Sequence, residues 1–275
     1  MDEIRHFLAI DGVSKWFDTE RGDEPIHVID DISITLDKGD FVVFVGPSGC
    51  GKTTLMRIVA GLEEPSTGRV ILEGEEVTEP DRKKGVVFQS YSSFPWLNVL
   101  DNVMFGLKFR DDVDPAEKTG IARHYLDLVG LGGFEDFYVN RISGGMRQRH
   151  AIARTLAADP DILLMDEPFG ALDAQNREFL QVQLLEIRRK ERKTVIFVTH
   201  DVEEAIFLAE RILVFSARPA TIIDEFRVAD HLPAEHDLEV KDSAGFLHLR
   251  NRILGITRAQ AKRTEEIQVE SKATE

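Results

Sequence analysis

A single cysteine, Cys50, leaves this chain no partner for an internal disulfide and no cysteine cluster to hold a metal. That usage fits a reducing compartment. No apolar run approaches the ~18 residues needed to cross a bilayer. The N-terminus, Met1-Asp2-Glu3-Ile4-Arg5, lacks the basic-then-apolar form of a secretion signal. Together these features predict a cytosolic chain whose membrane contact comes through a partner. Positive charge is also scarce, with 34 Lys and Arg against 49 Asp and Glu, a net charge of −15. Coating of nucleic acid is therefore not expected, because neutralising phosphates takes clustered cations. No repeat period or low-complexity tract is evident. What remains is ordinary for a globular protein: 43% hydrophobic and 30% charged residues in a chain of 275. That length has room for one large α/β domain or a core with a smaller subdomain.

One stretch stands out, Gly46-Pro47-Ser48-Gly49-Cys50-Gly51-Lys52-Thr53-Thr54. It has the form G-x-x-x-x-G-K-[ST], follows the apolar run Phe41-Val42-Val43-Phe44-Val45, and precedes the helix formers Leu55 to Ala60. Strand, loop and helix in that order are what a phosphate-binding loop requires. Its glycines let backbone N–H groups turn inward, and the helix N-terminus adds partial positive charge. Lys52 is expected to reach the β- and γ-phosphates of a nucleoside triphosphate, and the Thr53 hydroxyl to bind Mg²⁺. Cys50, inside the loop and beside Lys52, is expected to be open to modification.

The rest of the chain reads around this loop. Residues 7–17 and 27–36 are rich in β-branched and aromatic residues and read as strands, with Trp16-Phe17 closing the first. Core packing accounts for that pair as well as adenine stacking does. Two short extended pieces, 68–72 and 85–88, follow, and Gln89 ends the second. From 97 to about 130 the pattern turns helical, with Leu100, Val103, Met104 and Leu107 on one face and Tyr125, Leu126, Leu128 and Val129 on another. Ser143 reads as a helix N-cap before Met146 to Ala158, although Ser-Gly-Gly is also a common turn. Ile162-Leu163-Leu164-Met165 reads as a strand ending in Asp166-Glu167. Those carboxylates suit a Mg²⁺-associated acid followed by a group that orients water, or else a solvated strand end. Strands at 194–199, ending in His200, and at 212–215 flank a helix at 201–209; a lone histidine is by itself more often structural.

These pieces in this order resemble the nucleotide-binding cassette of the ABC transporter superfamily, over roughly residues 10–215. The resemblance rests on the phosphate loop, Gln89, the signature at Ser143, Asp166-Glu167, Ala171-Leu172-Asp173 and His200. It implies a P-loop NTPase (RecA-like) α/β core with an N-terminal antiparallel β subdomain and an α-helical insert at about 90–155. The cassette would span 1–255, and the charged tail 256–275 is expected to be disordered. The cofactors implied are ATP and Mg²⁺. Two copies would close head to tail on ATP, so that Ser143 and Gly145 of one cap the γ-phosphate held by the other, with Asp173 along the seam. Phe17, with Trp16 as the alternative, would stack on adenine. Asp166, Thr53 and Gln89 would serve Mg²⁺, Glu167 would act as base, and His200 would touch the γ-phosphate. The usual L-S-G-G-Q signature is altered here at Ile142 and Met146.

Within the superfamily the chain looks most like importer cassettes of the nitrate, sulfonate, taurine and bicarbonate group. The residues concerned are Ser90-Tyr91-Ser92-Ser93-Phe94-Pro95-Trp96-Leu97, Gly144 to Arg147, and Phe215-Ser216-Ala217-Arg218-Pro219. The resemblance implies an ATPase subunit on the cytoplasmic face of the cell membrane that drives uptake of a small anion. Its partners would be transmembrane permease subunits, docked near Phe94 to Trp96, and, indirectly, a solute-binding protein. The competing reading is a nucleotide-gated clamp or regulator in which turnover is unimportant. Soluble repair or translation ATPases use paired cassettes or long insertions, and a GTPase would carry an N-K-x-D motif, which this chain lacks.

Overall fold

The computed structural model describes residues 6–19, 24–89, 93–170 and 172–273, with side chains through 263. By its internal contacts the chain divides into two units, one formed by residues 1–80 with 194–275 and the other by residues 81–193. The helical insert expected at about 90–155 lies inside the second unit, which also takes in strands on either side of it. Ser90, Tyr91 and Ser92 of the importer resemblance and Ala171 of the Ala171-Leu172-Asp173 element fall outside the described residues.

In the first unit, β1 (Leu8–Phe17) and β2 (Ile26–Leu36) pair antiparallel, with Leu8 opposite Leu36 and Phe17 opposite Ile26. The chain then enters β3 (Phe41–Val45) and helix α1 (Lys52–Val59). It returns through β4 (Thr67–Leu72) and the two-residue β5 (Glu75–Glu76), giving an antiparallel sheet of order β2-β1-β4-β5. The second unit opens with β6 (Lys84–Val87) and continues through α2 (Val99–Gly106), α3 (Pro115–Leu128), α4 (Gly144–Ala157), β7 (Ile162–Asp166) and α5 (Ala174–Glu191). Strands β6 and β7 run parallel, with Val87 level with Met165. The chain then comes back to the first unit as β8 (Thr194–Thr199), α6 (Val202–Leu208), β9 (Arg211–Phe215), β10 (Ile222–Arg227) and α7 (Ala244–Ala273).

Every side chain of β3 is buried, and it lies parallel to β8 on one side and β9 on the other. A continuous apolar run is what a strand covered on both faces needs. Phe41 packs against Phe197 and Phe44 against Phe215, with ring centroids 6.2 and 5.0 Å apart. Each such pair adds roughly 1 kcal/mol beyond the area it buries. The register places Val45, Thr199 and Val214 side by side, so Gly46, His200 and Phe215 follow at one edge. The α/β class and the parallel strand before the loop are as the sequence predicts.

Three expectations change. On α2 the buried positions are Val99, Asn102 and Val103, and Leu107 just beyond it is buried as well, while Leu100 and Met104 are only half-buried. Asn102 is fully buried because its amide serves the preceding segment: it accepts from the Phe94 N–H at 2.8 Å and donates to the Phe94 and Asn98 carbonyls at 3.0 and 2.9 Å. Apolar periodicity cannot reveal a polar side chain of that kind. Helix α5 was not foreseen; Asp173 starts it, accepting from the Asn176 N–H at 2.9 Å. Finally, the backbone of α7 stays helical through Ala273, where low apolar content predicts disorder. Beyond Gly255 the tail has no proline or glycine and is rich in Ala, Gln, Lys, Arg and Glu, all good helix formers.

His150 of α4 is the second buried polar group that fastens the 93–99 segment. One ring nitrogen, Nε2, lies 3.1 Å from the Val99 carbonyl and the other, Nδ1, 3.0 Å from the Ser93 hydroxyl. A carbonyl only accepts, so Nε2 carries the hydrogen, and in the neutral ring Nδ1 accepts from Ser93. Burial, reinforced by the nearby Arg154 cation, pushes the His150 pKa down to about 4. An unfolded histidine takes its proton near pH 6.5, so the unfolded state binds the extra proton first and stability falls as pH drops through the window from about 6.5 to about 4. At pH 5 the loss from this group is about 2 kcal/mol. Urea unfolding at pH 7 and pH 5 should show that His150→Gln loses less stability between those pH values than the unchanged chain. Equal losses would mean that His150 is not held neutral.

Candidate functional site

In the first unit the loop after β3 is built by its glycines. Gly51, with φ of 129°, occupies the N-cap position of α1, and a Cβ there would lie 3.0 Å from the Val28 carbonyl oxygen. No side chain caps this helix, so its positive end is turned to the loop. Gly49 also has a positive φ, 72°. Ser48, Gly49 and Thr53 are exposed, Pro47 and Thr54 half-buried, and Gly46, Cys50, Gly51 and Lys52 buried.

Lys52 is only 4% exposed, and its Nζ donates to the Gly46 and Pro47 carbonyls at 2.8 Å each. Its hydrogen-bond partners among the described residues are these carbonyls and the Cys50 sulfur, so no carboxylate competes with an anion entering the loop. Cys50 corrects an expectation: its thiol is 2% exposed, packed beneath the loop 3.8 Å from Lys52 Nζ. The loop turns its backbone outward there and its side chain into the core, which motif spacing does not reveal.

At the sheet edge His200 is exposed between β8 and α6. Phe17, half-buried at the end of β1, has the Lys15 ammonium 4.8 Å from its ring centre. Trp16 is exposed and stacks on His27, centroids 4.5 Å apart and planes 12° from parallel. Each aromatic therefore already has a neighbour over its ring.

In the second unit the parallel pair β6 and β7 brings Gln89 level with Glu167. Gln89 Nε2 donates to Glu167 Oε2 at 3.1 Å. Asp166, buried, ends β7; Glu167, half-buried, has φ of 44°, a left-handed conformation that costs a non-glycine residue roughly 1–3 kcal/mol. Such strain at a strand end aims a side chain where ordinary geometry would not.

Ser143 caps α4, its Oγ accepting from the Met146 N–H at 3.2 Å, as the sequence predicts. A serine that accepts with its oxygen still has its own hydrogen to donate. Asp173 caps α5 and also receives the Asn176 side-chain amide at 2.6 Å. Hydrogen bonding from the Asn176 N–H and amide holds its carboxylate below the usual range. Gly145 brings the two regions together, since a Cβ there would lie 3.2 Å from the Leu172 side chain.

Sequence reasoning missed three side chains near the signature. Arg149 Nη1 donates to the Val129 and Gly130 carbonyls at 3.0 and 3.1 Å and so closes the end of α3. Gln148 is 1% exposed, and neither end of its amide has a partner among the described residues. His150 is the third. A run of polar residues inside a helix that must pack was the available signal.

Comparison with known proteins came out consistently. A family model described as ABC transporter matches residues 29–170. An ABC transporter ATP-binding protein of Methanocaldococcus jannaschii is 46% identical over 255 residues, 93% of this chain and 92% of the relative. The aliphatic sulfonates import ATP-binding protein of Bacillus cereus is 43% identical over 247 residues, 90% of this chain and 94% of the relative. Among solved structures, a dimeric ATP-binding cassette in a post-hydrolysis state bound to ADP and Pi matches with a TM-score of 0.73 at 32% identity, over 80% of this chain and 98% of that one.

The burial of Cys50 sets a test of the loop. A maleimide should label the native chain on the order of 100-fold more slowly than the chain unfolded in guanidinium, with or without ATP. Rapid labelling of the native chain, followed by mass spectrometry, would show instead that the loop opens readily.

Proposed function

The chain belongs to the ABC transporter family, and from that membership we propose that it is the ATP-hydrolysing subunit of an importer of a small anion such as an aliphatic sulfonate, nitrate or taurine. As an ABC ATPase it converts ATP and water to ADP and phosphate. The observation that carries the catalytic reading is the Gln89 amide on Glu167, at the ends of two parallel strands.

Phosphoryl transfer needs positioning and charge neutralisation rather than covalent chemistry. Lys52 would exchange the Gly46 and Pro47 carbonyls for β- and γ-phosphate oxygens. The amides of Gly46 to Thr54 would line the phosphates, and Phe17 would face the adenine. Glu167 would take the proton of the attacking water as its oxygen reaches the γ-phosphorus, with Gln89 holding the carboxylate in place. His200 would donate to the γ-phosphate.

Mg²⁺ would neutralise the triphosphate. The Thr53 hydroxyl, the Asp166 carboxylate and Gln89 would hold it, hard oxygen donors of the kind Mg²⁺ takes, with phosphates and water completing the sphere. No group of three or more His, Cys, Asp or Glu suited to a metal occurs among the described residues.

A second copy would complete the site. Its Ser143 hydroxyl and the N-terminus of its α4 would meet the γ-phosphate, with Gly145 allowing close approach and Asp173 along the seam. Met146 replaces the usual glutamine, but its backbone N–H still serves the Ser143 cap.

An aromatic run in the second unit suits the permease subunits. Trp96 is 70% and Phe109 62% exposed, and they flank Phe94 and Phe105, whose rings are 4.5 Å apart. Exposed clustered aromatics of this kind mark protein interfaces. No described helix is long and apolar enough to cross a membrane, so attachment to the cytoplasmic face of the inner membrane would run through the permease. A solute-binding protein would act on the permease and not on this chain. The clamp reading is disfavoured by the paired Gln89 and Glu167, which a non-hydrolysing switch does not require.

Glu167→Gln keeps the shape and removes the basicity, so turnover should slow by roughly 10²–10⁴-fold. Removing a negative charge near the γ-phosphate should also favour the closed pair. Size-exclusion chromatography with ATP and Mg²⁺ should show a dimer that returns to monomer without ATP. Normal hydrolysis by this variant would remove the base assignment. In a companion experiment, Ser143→Arg should abolish hydrolysis while the monomer still binds ATP, and Met146→Gln should change little. Wild-type turnover in Ser143→Arg would refute head-to-tail closure.

A further inference from the structure

The segment after β9 lies directly against the phosphate loop, residue by residue. A Cβ on Gly46 would sit 2.9 Å from the Phe215 carbonyl oxygen, one on Gly49 3.8 Å from Arg218 Nη2, and one on Gly51 3.3 Å from the Ala220 side chain. All these residues belong to the first unit. The segment is itself a tied turn: the Ser216 N–H donates to the Thr221 carbonyl at 2.9 Å, and the Ser216 hydroxyl accepts from the Thr221 N–H at 2.9 Å. At its exposed tip Arg218 Nη2 donates to the Gly49 carbonyl at 2.9 Å. On the far side the Ala217 N–H donates to Gln260 Oε1 of α7 at 3.1 Å.

The Gly49–Cys50 peptide is thus held at both ends. Its carbonyl points to Arg218, and the Cys50 N–H points back to the Pro47 carbonyl at 3.4 Å. In a trans peptide these two groups point in opposite directions, so whatever fixes the carbonyl also fixes where the N–H can aim. The loop binds phosphate through just such N–H groups.

We propose that Arg218 is a positioning residue for nucleotide binding: its guanidinium sets the plane of the Gly49–Cys50 peptide, and the C-terminal helix α7 holds Arg218 in place through Gln260. This rests on the reading of 46–54 as the nucleotide loop. It gives the C-terminal helix a route to the ATP site, since Gln260 of α7 holds the Ala217 N–H beside Arg218. Arg218 acts from outside the loop on its backbone, so the effect should reach every nucleotide that places a phosphate there.

Calorimetric titration of the full chain with ATP and with ADP, in the presence of Mg²⁺, tests the proposal. Arg218→Ala should weaken both nucleotides by the same factor, about fivefold, the size of one ordinary net hydrogen bond. Its melting temperature should be unchanged, because the side chain is exposed. Arg218→Lys, which keeps a cationic donor, should recover most of the loss. Gln260→Ala should weaken binding about twofold and add nothing to Arg218→Ala, since both act through one link. Two results would overturn the role: unchanged binding in Arg218→Ala while Lys52→Ala abolishes it, or a loss confined to ATP, which would mean direct contact with the terminal phosphate. Absence of any ATP binding in the unchanged chain would remove the nucleotide-loop reading itself.

Discussion

A buried ammonium held by two backbone carbonyls and a thiol is the constraint on which the first unit is organised. Among the described residues the Lys52 charge has dipoles but no carboxylate as hydrogen-bond partners. Such a group gains most from a multiply charged anion. The elements around it keep the loop closed on that charge. Strand β3 is buried along its whole length and delivers Gly46 at a fixed height, α1 starts at Lys52, and the 215–220 segment backs the glycines. Moving any one of these moves the cation.

The second unit follows a different rule. Its candidate residues serve structure and chemistry with the same atoms. Ser143 and Asp173 cap α4 and α5, and Gln89 binds Glu167. A residue tied into a helix terminus or a strand end is held in one orientation, which is what a contact to phosphate or water requires. The same elements are fastened to the aromatic surface: His150 and Asn102 anchor the 93–99 segment to α4 and α2. A load on that surface therefore has a hydrogen-bonded path to the helix that Ser143 begins.

Much of this was legible from residue order. The phosphate loop, the capped start of α4 and the carboxylate-terminated strand are local patterns, in which a turn, a cap or an alternation is written within a few residues. The misses share one cause. Asn102 and His150 look like polar residues on helices and prove to be buried, because partners beyond their own helix, Phe94 for Asn102 and Ser93 with Val99 for His150, close over them. Cys50 looked reactive because of its neighbours in sequence, whereas packing turned its thiol inward. Arg218 was noticed only as part of a resembling run, and its partner, Gly49, is 169 residues away.

By itself the sequence determined the order of an ABC cassette's parts, and with it the loop proposed for phosphate and the carboxylates proposed for Mg²⁺ and water. Local chain geometry decides such things, and short-range sequence encodes local geometry. Tertiary structure alone decided how those groups are held. It set the Lys52 ammonium on two carbonyls, aimed Glu167 through a left-handed backbone, kept His150 neutral, and placed an arginine from the far end of the chain on the loop. Each of these depends on burial and on partners distant in sequence, and burial is a property that a residue acquires only from the chain packed around it.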